Sequence, residues 1–181
     1  MPTTSSYDLA TINAMDRTTF TDAFGDVFEH SAYVASAAWD NRPFASASAL
    51  HASMMNVIRG LSIEEQKAFL RGHPELSPTA IRSGVLTESS SAEQSSAGLD
   101  ALTHDESARL REMNRAYQER HDFPFIICVR HYTRKGVFAE LERRLGRNTE
   151  QEFDEAMQQI AFITRGRLEL RLRAEHGECV A

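Results

Sequence analysis

The stretch TEQEFDEAMQQIAFITRGRLEL, residues 149–170, decides the fold. Phe153, Ala156, Ile160, Ile163 and Leu170 step by three and four along it, and Arg167 falls on the same stripe. That is the period of a long helix with one face turned to a core. Thr149-Glu150-Gln151-Glu152 ahead of it reads as a cap. The same period returns elsewhere in the chain. Leu110, Met113 and Tyr117 follow the capping box Thr103-His104-Asp105-Glu106. Val137, Phe138, Leu141 and Leu145 run up to Gly146. Phe69 and Leu70 follow a box at Ser62-Ile63-Glu64-Glu65 and stop at Gly72 and Pro74. Leu50, Met54 and Val57 share a stripe, as do Phe20, Phe24, Val27 and Phe28, and Ser31 to Trp39 forms another helix. The apolar run Phe123–Val129 contains Pro124, so it reads as a buried extended segment or a helix entry, not a sheet strand. Residues 77–89, rich in Ser and Thr, read as a long loop. The expected fold is all-α, a single-domain bundle of about seven to eight helices. The expected layout is a flexible N-terminus at 1–8, a helical domain at 9–172 and a tail at 173–181.

The chain has 181 residues and a net charge of -6, enough for one core and a poor match for nucleic acid or an anionic membrane. Cys128 and Cys179 form neither a metal motif nor a disulfide framework, which suits a reducing cytoplasm. Met1 to Tyr7 lacks a signal-peptide pattern, and no apolar run reaches membrane-spanning length. His104, His121 and His131 lack metal-ligand spacing. Arg134-Lys135 and Arg143-Arg144 read as a solvated helix face.

Three places break the rules of a plain bundle. Pro74 restricts the backbone of His73, just beyond a helix C-terminus. That rigid position suits a general acid or base, and equally a histidine that caps the last carbonyls. Ser90-Ser91-Ala92-Glu93 reads as a capping box. Its free N–H groups, with Glu93 and Gln94, also suit an anionic or carbonyl-rich ligand. Arg167 interrupts an apolar stripe and needs a partner there, either a substrate carboxylate or a structural acid.

In order along the chain stand His73-Pro74-Glu75-Leu76, then Ser90-x-x-Glu93-Gln94 with Ala97-Gly98-Leu99, then Asn114-x-x-Tyr117 and Phe123-Pro124-Phe125-Ile126. Phe28-Glu29-His30-Ser31 and Arg42-Pro43-Phe44 precede them, and Ile163-x-x-x-Arg167-Leu168 follows. The set resembles the 2-oxo-4-hydroxy-4-carboxy-5-ureidoimidazoline (OHCU) decarboxylases of urate degradation, over roughly residues 9–172. The resemblance implies an all-α, usually homodimeric enzyme that forms (S)-allantoin and CO2 without metal or organic cofactor. It implies His73, Glu93 and Arg167 as catalytic residues. Pro74, Ser90, Ser91, Ala92, Gln94, Phe125, Ile126, Ile127, Cys128 and Val129 would line the substrate pocket. The substrate's own ring takes up the electron pair left by CO2, so no cofactor is needed. Urate oxidase and hydroxyisourate hydrolase would be its pathway neighbours. The chain departs from the family pattern at His121-Asp122, at Tyr33 and at Gly166, inside the last helix. The competing reading is a non-catalytic, dimeric ligand-binding module that needs no convergence of His, Glu and Arg.

Overall fold

The computed structural model describes residues 6–83 and 86–172, and of Arg82 the backbone only. Among the described residues there are ten α-helices, eight of them of at least seven residues, and no strand. They are α1 (Leu9–Ala14), α2 (Arg17–Phe24), α3 (Ala32–Ala38), α4 (Ala47–Arg59), α5 (Ile63–Arg71), α6 (Pro78–Ser83), α7 (Glu88–Ser96), α8 (His104–His121), α9 (Arg134–Leu145) and α10 (Thr149–Glu169). The all-α expectation holds. The expected tail at 173–181 and residues 1–5 lie outside the described residues. The described end of the expected flexible start is tied down. Tyr7 donates its N–H to the Arg171 carbonyl at 2.8 Å, and the Asp8 carboxylate caps α1 through Thr11 N–H at 2.7 Å.

The chain divides into two compact units, one of residues 1–61 with 164–181 and one of residues 62–163. In the first, α2 packs on α3 and α3 on α4. Phe20, Phe24, Val34, Leu50, Met54 and Ile58 are fully buried there. Val27 and Phe28 are buried too, but they follow α2 instead of extending it. The Asn13 side chain stands in for a strand partner, exchanging two hydrogen bonds with the Phe44 backbone at 2.8 and 3.0 Å. Trp39 donates to the Met15 carbonyl at 3.0 Å and lies under the Arg42 guanidinium, so it packs and pins the chain. Leu170 is 59 % exposed, past the end of α10, and Leu168 takes the buried place expected of it.

In the second unit the capping boxes Ser62/Glu65 and Thr103/Glu106 form as read, with both reciprocal bonds. α8 packs on α9, and α7 on the short 3-10 turn Val129–His131. The loop expected at 77–89 is instead largely helical. Ser77 Oγ accepts from Ala80 N–H at 3.3 Å and Pro78 takes the first helical position, where its missing N–H costs nothing. Gly84 and Val85 within it lie outside the described residues.

Two further expectations change. The cap of α10 is Asn148, whose side chain accepts from Gln151 N–H at 2.8 Å. Glu152 is thereby released from capping and turns inward. Arg144 is no solvated residue, being 0 % exposed. Its Nε donates to Glu152 at 2.7 Å, its Nη1 to the Ile126 carbonyl at 2.8 Å and its Nη2 to the Tyr117 hydroxyl at 3.3 Å. The guanidinium also lies 4.6 Å from the centre of the Phe125 ring. Arg147 Nε sits 3.2 Å from the other Glu152 oxygen, outside hydrogen-bond geometry.

Candidate active site

His73 stands two residues past α5, as read. Gly72 closes the helix, and His73 donates its N–H to the Leu70 carbonyl at 3.1 Å. The ring is half-buried. The backbone beyond it is fixed at two points. The Asn114 amide donates to the Leu76 carbonyl at 2.9 Å, and Gln94 Oε1 accepts from Ser77 N–H at 3.2 Å. Gln94 therefore links the His73 stretch to α7.

α7 reads ESSSAEQSS and contains no large apolar residue, yet it buries Ser90, Glu93 and Gln94. These three share a face by the helical i, i+3, i+4 rule. A helix with a polar buried face must be held by its ends. Thr87, not Ser90, is its N-cap and accepts from Ser90 N–H at 3.3 Å. At its other end Gly98 takes a left-handed φ of 73°. Gly98 N–H then reaches the Ser95 carbonyl at 2.9 Å and Leu99 N–H the Gln94 carbonyl at 3.1 Å, with Leu99 fully buried. The expected capping box at Ser90–Glu93 is thus corrected. Thr87 outcompetes Ser90 three residues earlier, and Ser91 N–H is taken by the Thr87 carbonyl at 2.9 Å. Ser90 to Gln94 can meet a ligand through side chains, not through helix-terminal N–H groups. Ser91 is half-buried and Ala92 exposed, off the buried face.

Phe125 to Val129 is buried throughout and joins no strand. Two of its backbone groups are held by helix side chains. Arg144 donates to the Ile126 carbonyl, and Gln159 Oε1 accepts from Cys128 N–H at 2.9 Å. Next along the chain, the exposed Arg130 places Nη2 3.8 Å from Glu93 Oε1. Arg130 brings the run and α7 together. Sequence reasoning missed it because no periodic stripe marks a residue in a turn.

Arg167 belongs to the first unit, and α10 runs through Gly166 without a break. The guanidinium is 2 % exposed, and its Nη1 donates to Glu29 Oε2 at 2.9 Å. Glu29 is buried as well, with His30 Nε2 3.9 Å from its other oxygen. The inward arginine has the carboxylate partner that its position demands. That partner lies 138 residues away and carried no local signal beyond its motif.

His121 is buried against the Tyr117 ring at 4.5 Å, with Nδ1 3.1 Å from the Thr149 hydroxyl and Nε2 without a hydrogen-bond partner. Burial holds its pKa below the ordinary 6.5. Asp122 takes a φ of 64°, the left-handed position where a glycine is favoured, and closes α8 while pairing with Arg71. Among the described residues no three His, Cys, Asp or Glu cluster as metal ligands. No described helix is long and apolar enough to cross a membrane.

Residues 13–169 match the family model of OHCU decarboxylase. The chain is 35% identical over 162 residues to the 2-oxo-4-hydroxy-4-carboxy-5-ureidoimidazoline decarboxylase of Amia calva, covering 90% of this chain and 93% of that one. It is 34% identical over 157 residues to a uric acid degradation bifunctional protein of Bacillus subtilis, covering 87% of this chain and 31% of that longer one. The crystal structure of an (S)-allantoin synthase superposes with a TM-score of 0.72 at 26% identity, over 92% of this chain and 54% of that one.

Proposed function

The chain belongs to the OHCU decarboxylase family, and from that premise we propose that His73, Glu93 and Arg167 act together on its substrate. The protein is a carbon–carbon lyase of urate degradation that converts OHCU to (S)-allantoin and CO2. The observation that carries the residue assignment is α7. Burying Ser90, Glu93 and Gln94 on a helix with no large apolar residue contributes little to a core, and it makes sense as the wall of a polar site.

The substrate holds its carboxylate and hydroxyl on one ring carbon and its ureido group on the next. Loss of CO2 breaks the bond to the carboxylate and leaves its electron pair on the ring carbon. The neighbouring ring C=N takes up that pair and its nitrogen takes a proton, giving an enol. A proton then arrives at the ureido-bearing carbon, and the enol hydroxyl becomes the new carbonyl as it loses its own. The enzyme must hold the carboxylate out of the ring plane and deliver the proton to one face.

His73 moves the proton, with Glu93 as the carboxylate that steadies it. Pro74 restricts the His73 backbone, and Asn114 and Gln94 fix the chain that follows. Arg167 offers a planar fork to the substrate's carboxylate or ureido oxygen. Ser90 and Gln94 present side-chain polar groups, with Ser91 and Ala92 beside them. Phe125, Ile126, Ile127, Cys128 and Val129 supply an apolar wall and backbone donors. The reading extends to a homodimer working in the cytoplasm beside urate oxidase and hydroxyisourate hydrolase. The bifunctional Bacillus relative supports such a neighbourhood. The test supplies fresh OHCU from urate and follows ultraviolet decay and circular dichroism. Optically active (S)-allantoin formed faster than the spontaneous rate, unchanged by chelators, is expected. Racemic allantoin at the spontaneous rate would overturn the reading.

A further inference from the structure

Gln159 lies in the middle of the buried face of α10, 3 % exposed, flanked by the buried Ala156, Ile160 and Ile163. An amide there costs stability unless both ends are bonded, and both are. Oε1 accepts from Cys128 N–H at 2.9 Å, and Nε2 donates to Glu155 Oε1 at 2.8 Å. Glu155 in turn holds Arg147 Nη1 at 3.1 Å. The carboxylate can only accept, so it fixes which way round the amide sits. The line Arg147–Glu155–Gln159 thus ends on a backbone N–H of the run proposed above to face substrate.

A second peg acts two residues away, where Arg144 donates to the Ile126 carbonyl at 2.8 Å. In an extended chain the N–H and C=O of one residue leave on the same side, and the side alternates along the chain. The Ile126 carbonyl and the Cys128 N–H both leave toward side chains of α9 and α10, while the Cys128 carbonyl accepts from His131 N–H at 3.0 Å. In a planar trans peptide the C=O and N–H point opposite ways, so the Ile127 N–H and C=O, which share their peptides with those two groups, face away from α9 and α10.

We propose that Gln159 is a positioning residue of the decarboxylase: by holding Cys128 N–H it sets the backbone donor and acceptor of Ile127 against the ureido and ring carbonyl groups of the substrate. This rests on the reading of the Phe125–Val129 run as pocket wall. Gln159 touches no reacting atom. Its effect reaches catalysis through the placement of Ile127, and misplacement by about 1 Å is enough to cost about 100-fold.

The test uses the full chain in the urate-coupled assay, with kcat, KM, product enantiomeric excess and the backbone amide signal of Cys128 read together. Gln159→Met keeps length and loses the acceptor. We expect kcat to fall about 10- to 100-fold per folded molecule, with enantiomeric excess reduced and the Cys128 amide signal shifted. The exchange Glu155→Gln with Gln159→Glu rebuilds the same line with the charge moved one helical turn. It is expected to recover kcat and enantiomeric excess, whereas Gln159→Glu alone, with two carboxylates facing, does not. If Gln159→Met fails to fold, the exchanged pair against Gln159→Glu alone decides the matter. A Gln159→Met protein with a shifted Cys128 signal but wild-type kcat and enantiomeric excess would overturn the proposal while leaving the decarboxylase reading intact. An exchanged pair no more active than Gln159→Glu alone would do the same. Wild-type protein that forms only racemic allantoin would instead overturn the proposed function.

Discussion

Removing the charge of Arg167 separates its two possible duties only if Glu29 is changed with it. Their side chains are 2 % and 1 % exposed and 2.9 Å apart. Arg167→Gln takes the guanidinium away from a buried carboxylate whose other oxygen lies 3.9 Å from the exposed His30. Breaking a buried pair from one side costs about 3–5 kcal/mol. At about 2–4 °C per kcal/mol for a chain of this size, the melting temperature should fall by roughly 6–20 °C. In Glu29→Gln with Arg167→Gln no charge is stranded and an amide pair can form, so the melting temperature should return to within about 4 °C of wild type. If Arg167 also binds substrate, that stable double variant should still lose at least about 100-fold in kcat/KM, the scale of one charge-assisted contact. Arg167→Lys should fail as a substitute, because an ammonium lacks the planar fork. Thermal melts and the urate-coupled assay on the four proteins of the cycle give both numbers. A stable double variant with kcat/KM within about threefold of wild type would refute the substrate role and leave Arg167 purely structural.

Three other outcomes are expected. His73→Asn should melt like wild type and lose about 10²–10⁴-fold in kcat, since the half-buried ring lies outside the core; unchanged turnover in a folded variant would remove it from the mechanism. Arg144→Met should cost about 3–5 kcal/mol, because Glu152 is left 0 % exposed without its main partner, and Arg144→Met with Glu152→Leu should recover much of that; urea titration of both checks it. His121 binds its proton less readily folded than unfolded, so the unfolded chain holds more protons just below pH 6.5 and stability should fall as pH drops through that value. His121→Phe should flatten that slope in melts between pH 5 and 7.5, and an unchanged slope would assign it to other groups.

The helices were legible where one capping chemistry was available and hidden where several competed. Ser62 and Thr103 each precede a glutamate at the right spacing, and both boxes form. At α7, Thr87, Ser89, Ser90 and Ser91 offer nearly equal hydroxyls, and the choice fell three residues before the one read. At α10, Asn148 and Thr149 competed in the same way, and the outcome freed Glu152 for Arg144. Arg143 and Arg144 looked alike as neighbours in sequence, yet one helical step of about 100° separates an exposed residue from a fully buried one. Of the candidate residues, the place of His73 was legible through Pro74 and that of Arg167 through the stripe that it interrupts. Arg130 and the pairing of Arg167 with Glu29 arise from contacts between distant segments, which no local pattern encodes. Gln159 stood in the quoted stretch as a polar residue beside the apolar stripe, but only the position of Cys128 N–H gives it a purpose.

Because α7 is held by Thr87 at one end and Gly98 at the other, its buried face is nearly uncoupled from the hydrophobic ledger of the protein. A polar replacement at Ser90 removes no large apolar side chain from the core, whereas Gln94 also holds Ser77 N–H at 3.2 Å. Most proteins place specificity on surfaces whose alteration also erodes the fold, so new selectivity must be bred together with compensating stability. Here a lineage, or a designer, can vary Ser90 while the large apolar side chains of the core stay as they are. On the function proposed above, the place to search for altered substrate preference is therefore Ser90 and its neighbours on this buried face, screened by activity and melting temperature together.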